Sequence, residues 1–561
     1  MMLKNKLLIS FIPAILLNIL FLNAETIIVN NVADLQTAVN KAVAGDILML
    51  KNGTYLNNTL NITASNIIVK AASPGGVFLN GTNKITIGGD SVTFTGFQFT
   101  SGNIALNSIL EVSGNHNTLS HLNFKGYHAK KYIVIKAGSQ YNNILHCNIE
   151  QKPKDAEIGC TIQISTSLTV PGYHKIAYCS FLNFEGTGGD FGNEPIRIGL
   201  GAETLNKSRT VVEFCYFNNT GLGDSESVSV KSQENIIRYC TFTNQQNAML
   251  VFRNGSYNVA YSNFFIQAGG IRIKEADHIF CYNNYFEQAG IGSSSDAVKL
   301  DYVSPFLKGI HFYHNTFVQC GDIDLGGIGP QSNYWANNLF LKSAGNIMSN
   351  PNNQTTFLGN VYEGNPGISI AAGMTRSAIK LSRNEEGYFS LSDSSVANSI
   401  SANDFPPILS IPNIDIDASL LLDISGQKRP AAGNLKDVGC DEFGGGPIIN
   451  KPLKRQDVGP IYLKNDLVSI SMEKSAADNN IIVYPNPVST ALTVKITEQT
   501  EKIDVTFYYE TGRQVGYFPQ SQSSHSNNEL VYSVSNVPNG IYFINFKSGK
   551  YLKTLKLIVQ H

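Results

Sequence analysis

Apolar and polar residues alternate in short runs through most of the chain, the pattern of β-strands rather than of long helices. Residues 32–44 are the exception. There Leu35, Ala38, Val39, Ala42 and Val43 follow the i, i+3, i+4, i+7, i+8 spacing of an amphipathic helix, with Asp34 near its start and Gly45 at its end. The strand Asp46–Lys51 and the Asn52-Gly53 turn come next.

A phrase then recurs in which an apolar strand closes on Cys, Asn or a small residue followed shortly by an aromatic: Leu122-Asn123-Phe124, Cys179-Ser180-Phe181, Cys215-Tyr216-Phe217, Cys240-Thr241-Phe242, Ser262-Asn263-Phe264, Asn284-Tyr285-Phe286 and Asn338-Leu339-Phe340. With Phe99, Ile149, Phe317 and Tyr362 added, the marker positions step by 25, 25, 32, 36, 25, 22, 22, 31, 23 and 22 residues. A coil of about 22 residues with occasional loop insertions produces this series, which is the signature of a solenoid. The expected fold of residues 25–445 is a right-handed parallel β-helix, making the protein all-β, with the helix over 32–44 as a lid on the first coil. Stacked coils bring equivalent residues to strand spacing, about 4.8 Å, so Cys179, Cys215 and Cys240 are expected to form an interior ladder of buried thiols rather than disulfides.

After Cys440-Asp-Glu-Phe443 and Gly444-Gly445-Gly446 the period is lost, and residues 446–480 read as a linker. From 481 to 561 the runs 491–496, 503–508, 530–534 and 541–546 alternate between turns, the pattern of a small β-sandwich. At the other end Lys4 and Lys6, an apolar run from Leu7 to Leu22 broken by Pro13, and Ala24 before Glu25 read as a signal peptide over residues 1–24 rather than a membrane anchor. Charged residues make up 15% of the chain and the formal net charge is −1, so no global field steers it to nucleic acid, and attraction for an acidic polymer must come from a local patch.

One patch is visible in the repeat. Lys231 and Arg253 each lie 11 residues before a marker, Phe242 and Phe264, which places them on neighbouring coils of one face. Arg272 and Lys299 extend the basic character. Two cations at strand spacing repel, which helps a lysine shed its proton and act as a base, and the arrangement calls for anions, bound or fixed. Asp224 and Glu226 precede Lys231 in the turn that feeds its strand, and Asn193 lies one long coil earlier. Such oxygen donors suit Ca²⁺, with turn capping and charge neutralisation as the plainer alternative. Asp301, Asp322 and Asp324 are the carboxylates available to a hydrolase on the same scaffold, and a non-catalytic adhesin is the third class.

Asn193 with Ile196-Arg-Ile-Gly199, Asp224-x-Glu226, Val230-Lys-Ser-Gln-Glu-Asn235, Phe252-Arg-Asn-Gly255 and the exit phrase Asp437–Phe443 resemble polysaccharide lyase family 6, which contains alginate lyases and chondroitinase B. The resemblance implies Lys231 as general base, Arg253 as its partner, and Asn193, Asp224 and Glu226 as Ca²⁺ ligands; Arg197, Asn254, Arg272 and Lys299 are the expected substrate contacts. Two positions depart from the family pattern: Asp224 stands where Glu is usual, and Asn254 where many members carry His. The implied reaction is β-elimination at a uronic acid of an acidic polysaccharide, alginate first and dermatan sulfate second. The phrases Val483-Tyr-Pro-Asn-Pro-Val488, Val537–Phe543 and Lys553–Val559 resemble the C-terminal sorting domain of Bacteroidetes type IX secretion cargo, which implies the type IX machinery as a partner and a secreted or cell-surface protein without a membrane span.

Overall fold

The computed structural model describes residues 24–464, except 155–158, 191, 293–295, 302–306, 328–330, 371, 402–419, 431–434 and 445, together with the strands and a few further residues of 481–559. The expected signal peptide, save Ala24, lies outside the described residues. No helix among them is long and apolar enough to cross a membrane.

Three long parallel sheets wind around one lumen. Sheet A runs from Thr26–Val29 to Thr355–Leu358, sheet B from Gly53–Leu56 to Met374–Arg376, and sheet C from Thr59–Ile62 to Met348–Ser349, with 14, 14 and 12 strands. Successive coils contribute short strands in the order A, B, C, and the inward strand positions are mainly apolar, so the core is a continuous column from Val29 to Met374. The marker aromatics are the spine of that column: Phe181, Phe217, Phe242, Phe265, Phe286, Phe317 and Phe340 stack with ring centroids 4.4–5.2 Å apart. Parallel coils force like onto like, and flat rings tolerate that repetition.

Beside the rings runs a polar ladder. Cys147, Cys179, Cys215 and Cys240 are buried and unpaired by disulfides, as are the other four cysteines. The column continues as Asn263, Asn284, Asn315, Asn338 and Asn360, where the backbone N–H of each of the first four donates to the next coil's Asn Oδ1 at 2.9–3.0 Å. These bonds satisfy the backbone at the bend between sheets A and B.

The lid helix, α1 (Val32–Lys41), is capped by Asn31, whose side chain accepts from the Asp34 N–H at 2.8 Å, and it buries Val32, Leu35, Ala38 and Val39. It ends before the expected 44. Asp46 explains the early stop, because its carboxylate accepts the N–H of Val43 and of Glu25, both at 2.9 Å, and holds the chain extended there.

The chain divides into two units, Met1–Leu467 and Val468–His561. The expected linker is therefore not uniform. Residues 447–464 run back along the solenoid as a strap: Lys451 pairs with Glu386 at 3.1 Å, the Leu453 N–H donates to Thr241 at 2.8 Å, Arg455 pairs with Glu150 at 2.9 Å, the Gly459 N–H donates to the Tyr178 carbonyl at 2.7 Å, and the Tyr462 hydroxyl donates to the His121 carbonyl at 3.0 Å. Residues 465–480 lie outside the described residues. In the second unit the strands Ile481–Tyr484, Ala491–Ile496 and Glu529–Ser533 form one antiparallel sheet, and Asp504–Tyr509, Gly540–Ser548 and Tyr551–Val559 another, closing on a core that includes Leu492, Phe507, Ile544 and Leu557.

Candidate active site

The outer face of sheet C carries the candidate residues. Its strands Ile196–Ile198, Glu226–Val230, Met249–Arg253, Ile271–Lys274 and Asp296–Asp301 pair in sequence, so that Arg197, Ser229, Val251, Arg272 and Lys299 form one outward row. The neighbouring row contains Arg253, Lys274 and Asp301. Val230 pairs with Phe252, which sets Lys231 beside Arg253 as expected. The marker behind that expectation was displaced, however. Phe242 pairs with Phe265, not with Phe264, which points outward toward Tyr285 and Tyr388. The coil holds one more residue between Arg253 and its marker than the coil before, and choosing Phe264 cancelled that residue.

A register shift between Glu226 and Val228 breaks the ladder at the entrance to the Lys231 strand. Such a bulge re-aims side chains. Glu226 consequently lies under the face, its carboxylate only 2% exposed, with Oε1 accepting from Arg253 Nη1 at 3.0 Å. Its other oxygen, Oε2, is buried without a hydrogen-bond partner, and so are Asn193 Oδ1 and Ser229 Oγ. Asn193 is oriented by its amide, which donates to the Pro153 carbonyl at 3.3 Å. Asp224 accepts from the Gly192 N–H and, at 2.9 Å, from the Glu226 N–H. Burial pushes its carboxyl up to about 7, aided by the charge of Glu194 and, less strongly, of Glu226, while the two backbone N–H groups pull it down.

These features test the expected Ca²⁺ set. Among the described residues no group of three or more His, Cys, Asp or Glu is placed to hold a metal ion. The set here has two carboxylates and an amide, and it leaves two buried oxygen acceptors unsatisfied next to a carboxylate that resists ionising. A buried acceptor without a donor is costly, and a hard cation is the ligand that would satisfy both. The residues present fit Ca²⁺.

The expected substrate contacts are engaged differently. Arg197 is 14% exposed and its guanidinium grips Glu194 through Nε at 3.0 Å and Nη2, with the Gly192 carbonyl at 3.4 Å, so it braces the turn that carries Asn193 instead of reaching outward. Arg272 is held by Asp301, Lys299 lies 4.0 Å from Asp296, and the Asn254 amide donates to Glu275. Lys231 differs: among the described residues its ammonium has no ion pair. Glu194, Ser229, Glu275 and the Glu226–Arg253 contact were not foreseen. Only Glu194, three residues before Arg197, left a local signal, since that spacing pairs side chains in a turn.

Two stretches of the chain match family models. Residues 29–305 match the chondroitinase B family, and residues 482–560 match the secretion system C-terminal sorting domain. The first match ends at 305, short of the later coils and of the exit phrase. No curated protein matches the sequence. Among solved structures, the family 6 alginate lyase AlyGC is 21% identical with a TM-score of 0.60 over 66% of this chain and 55% of its own. A mannuronic acid specific family 6 lyase from human gut microbiota is 20% identical, TM-score 0.50, over 64% and 92%. The family 6 polysaccharide lyase Pedsa3628 from Pseudopedobacter saltans is 18% identical, TM-score 0.51, over 77% and 99%. The chain thus spans little more than half the length of AlyGC, and what these likenesses share with it is the β-helix. The sorting domain marks the protein for export to the cell surface or beyond in the Bacteroidetes manner.

Proposed function

We propose, from the match of residues 29–305 to the chondroitinase B family, that the outer face of sheet C cleaves a uronic-acid polymer, alginate first, by β-elimination. The observation that carries this reading is Lys231, a cation without an acid partner among the described residues, standing beside Arg253 and a cluster of buried, unsatisfied polar atoms. A base must be free to take its proton, whereas Arg197, Arg253, Arg272 and Lys299 each have a carboxylate partner.

In the neutral amine form, Lys231 Nζ removes the C5 proton of a uronate. The C–H electron pair becomes the C4–C5 double bond, the C4–O bond breaks, and the departing oxygen takes up a proton, leaving an unsaturated sugar at the new non-reducing end. Arg253, steadied by Glu226, faces the negative charge that grows on the carboxylate and leaving oxygen. Ca²⁺ held by Asn193, Asp224 and Glu226 would supply further positive charge against the substrate carboxylate. The bond from Arg253 uses one oxygen of Glu226 and leaves Oε2 for the cation, so the two roles are compatible.

The test is a panel of alginate, its mannuronate-rich and guluronate-rich blocks, dermatan sulfate and pectate, scored by the ultraviolet absorbance of the unsaturated product. Alginate is expected to respond most strongly. Dermatan sulfate is the second reading, favoured by the family match. Absence of the product from every polymer would sink the proposal.

A further inference from the structure

The charges on the outer face of sheet C change sign along the solenoid. The row Arg197, Ser229, Val251, Arg272, Lys299 continues into Asp324, and Asp296 stands in register with Asp322 on the same pair of strands. Asp322 and Asp324 flank the buried Ile323, so both point outward. Asp324 accepts from the Gly326 N–H and the Asn350 amide, both at 2.9 Å and both neutral. Asp322 pairs at 3.0 Å with Lys342, a lysine only 13% exposed that reaches it from the sheet B strand Leu339–Asn346. The segments 293–295, 302–306 and 328–330 contain no Asp, Glu, Lys or Arg to alter this balance.

Asp296 reports the resulting field. Burial lifts its carboxyl to about 6, with Asp324 and Asp322 adding to the rise although Lys299 opposes it.

We infer that Asp322 and Asp324 form an acidic stop that ends the polyanion groove, so that an acidic polysaccharide occupies the coils from Lys299 toward the N-terminal end and its chain end rests against the Asp322–Asp324 coil. This rests on the lyase reading in one respect, that Lys231 and Arg253 mark the scissile bond. Successive coils rise by about 4.8 Å, so a uronate carboxylate carried one coil past Lys299 would meet fixed carboxylates at strand spacing without an exposed cation to answer it. The stop lies only a few coils beyond Lys231. Cleavage near one chain end follows, with short products released from the start.

The full chain should therefore produce short unsaturated oligomers from a long polyuronate at the earliest times, with viscosity falling slowly. Asp322→Asn/Asp324→Asn should release longer oligomers early and lower viscosity several-fold faster per bond broken. Asp324→Asn alone leaves the Lys342 pair intact and should move the profile the same way, which separates the field from any loss of folding. Long products from the unchanged protein, or unaltered profiles in both variants, would overturn the stop. Binding supplies a readout that does not need turnover. On a Lys231→Ala background the double variant should bind long alginate several-fold more tightly at low salt, with the gain vanishing as salt is raised. Equal affinity at both salts overturns the stop, and no binding by either form overturns the stop and the lyase reading together. Tighter binding without any unsaturated product from the unchanged protein would retain the stop and reject the lyase.

Discussion

Sheets B and C are built from the same coils with the same period, yet their outer faces end differently. The outside of sheet B is finished by the chain itself: Phe264 and Tyr285 pack under Tyr388, Ile424 and Cys440, Arg429 is buried against Glu442 and Asn283, and the strap of residues 447–464 closes over earlier coils. The outside of sheet C receives no such cover among the described residues. It keeps charged rows, the unsatisfied Glu226 Oε2, Asn193 Oδ1 and Ser229 Oγ, and register shifts at Ile104/Ser108, Glu226/Val228 and Asp296/Val298, against one in sheet B at Leu341/Asn346. A solenoid's regularity is structural and cheap to repeat, so departures from it mark where something other than the chain must complete the face.

The sharpest way to break that contrast is at Lys231. Lys231→Ala should lower formation of the ultraviolet-absorbing product by about 10³-fold, the range expected of a lost general base, while leaving the melting temperature unchanged because the ammonium has no partner to lose. Equal activity in the variant would return the open face to a binding role. Glu226→Gln comes next. It removes the charge that steadies Arg253 and one proposed cation ligand, and should cost about 10–100-fold in turnover. The stabilisation seen on adding Ca²⁺ to the unchanged protein, read as a rise in melting temperature, should largely disappear. Undiminished turnover in excess EDTA would count against a catalytic Ca²⁺.

The covered face should respond oppositely. Tyr462 lies over Gly75, where an added Cβ would come within 2.5 Å of its ring, and its hydroxyl reaches the His121 carbonyl. Tyr462→Ala should destabilise the solenoid by about 2–4 kcal/mol in denaturant titration while leaving turnover per folded molecule unchanged. A loss of turnover instead would mean that the strap communicates with the site.

How much of this could be read beforehand follows from what each feature depends on. The β-helix was legible because stacking like on like writes its period into the sequence, whereas Lys231 and Arg253 came out as neighbours because the displaced marker offset the extra residue in the Arg253 coil. The marker slipped at Phe264-Phe265 because two adjacent aromatics are indistinguishable until the pairing with Phe242 chooses between them. The Glu226–Arg253 bond was hidden, since it depends on a bulge and on side-chain reach across coils. The strap was hidden too. Its hold includes backbone bonds at Leu453 and Gly459, which leave no side-chain pattern in an otherwise mixed segment.

The smallest expected effect sharpens the contrast through pH. Asp441 on the covered side and Asp224 on the open side share one anomaly: burial lifts each carboxyl to about 7, from 3.8. Asp441 is pushed further by Asp423, and it accepts from Ser425 at 3.2 Å. A raised acid keeps its proton in the native protein after the unfolded chain has lost its own, so the associated stability is full below about pH 4 and drains as pH rises through about 7. Both residues should therefore steepen the decline of the melting temperature between pH 5 and pH 8. A cation can relieve only one of them. Added Ca²⁺ should flatten the part due to Asp224, and Asp441→Asn should flatten the remainder, each by about 1–3 kcal/mol. If Ca²⁺ alone removed the whole slope, Asp441 would already be paired in the native fold, and the covered face would be as fully satisfied as its packing suggests.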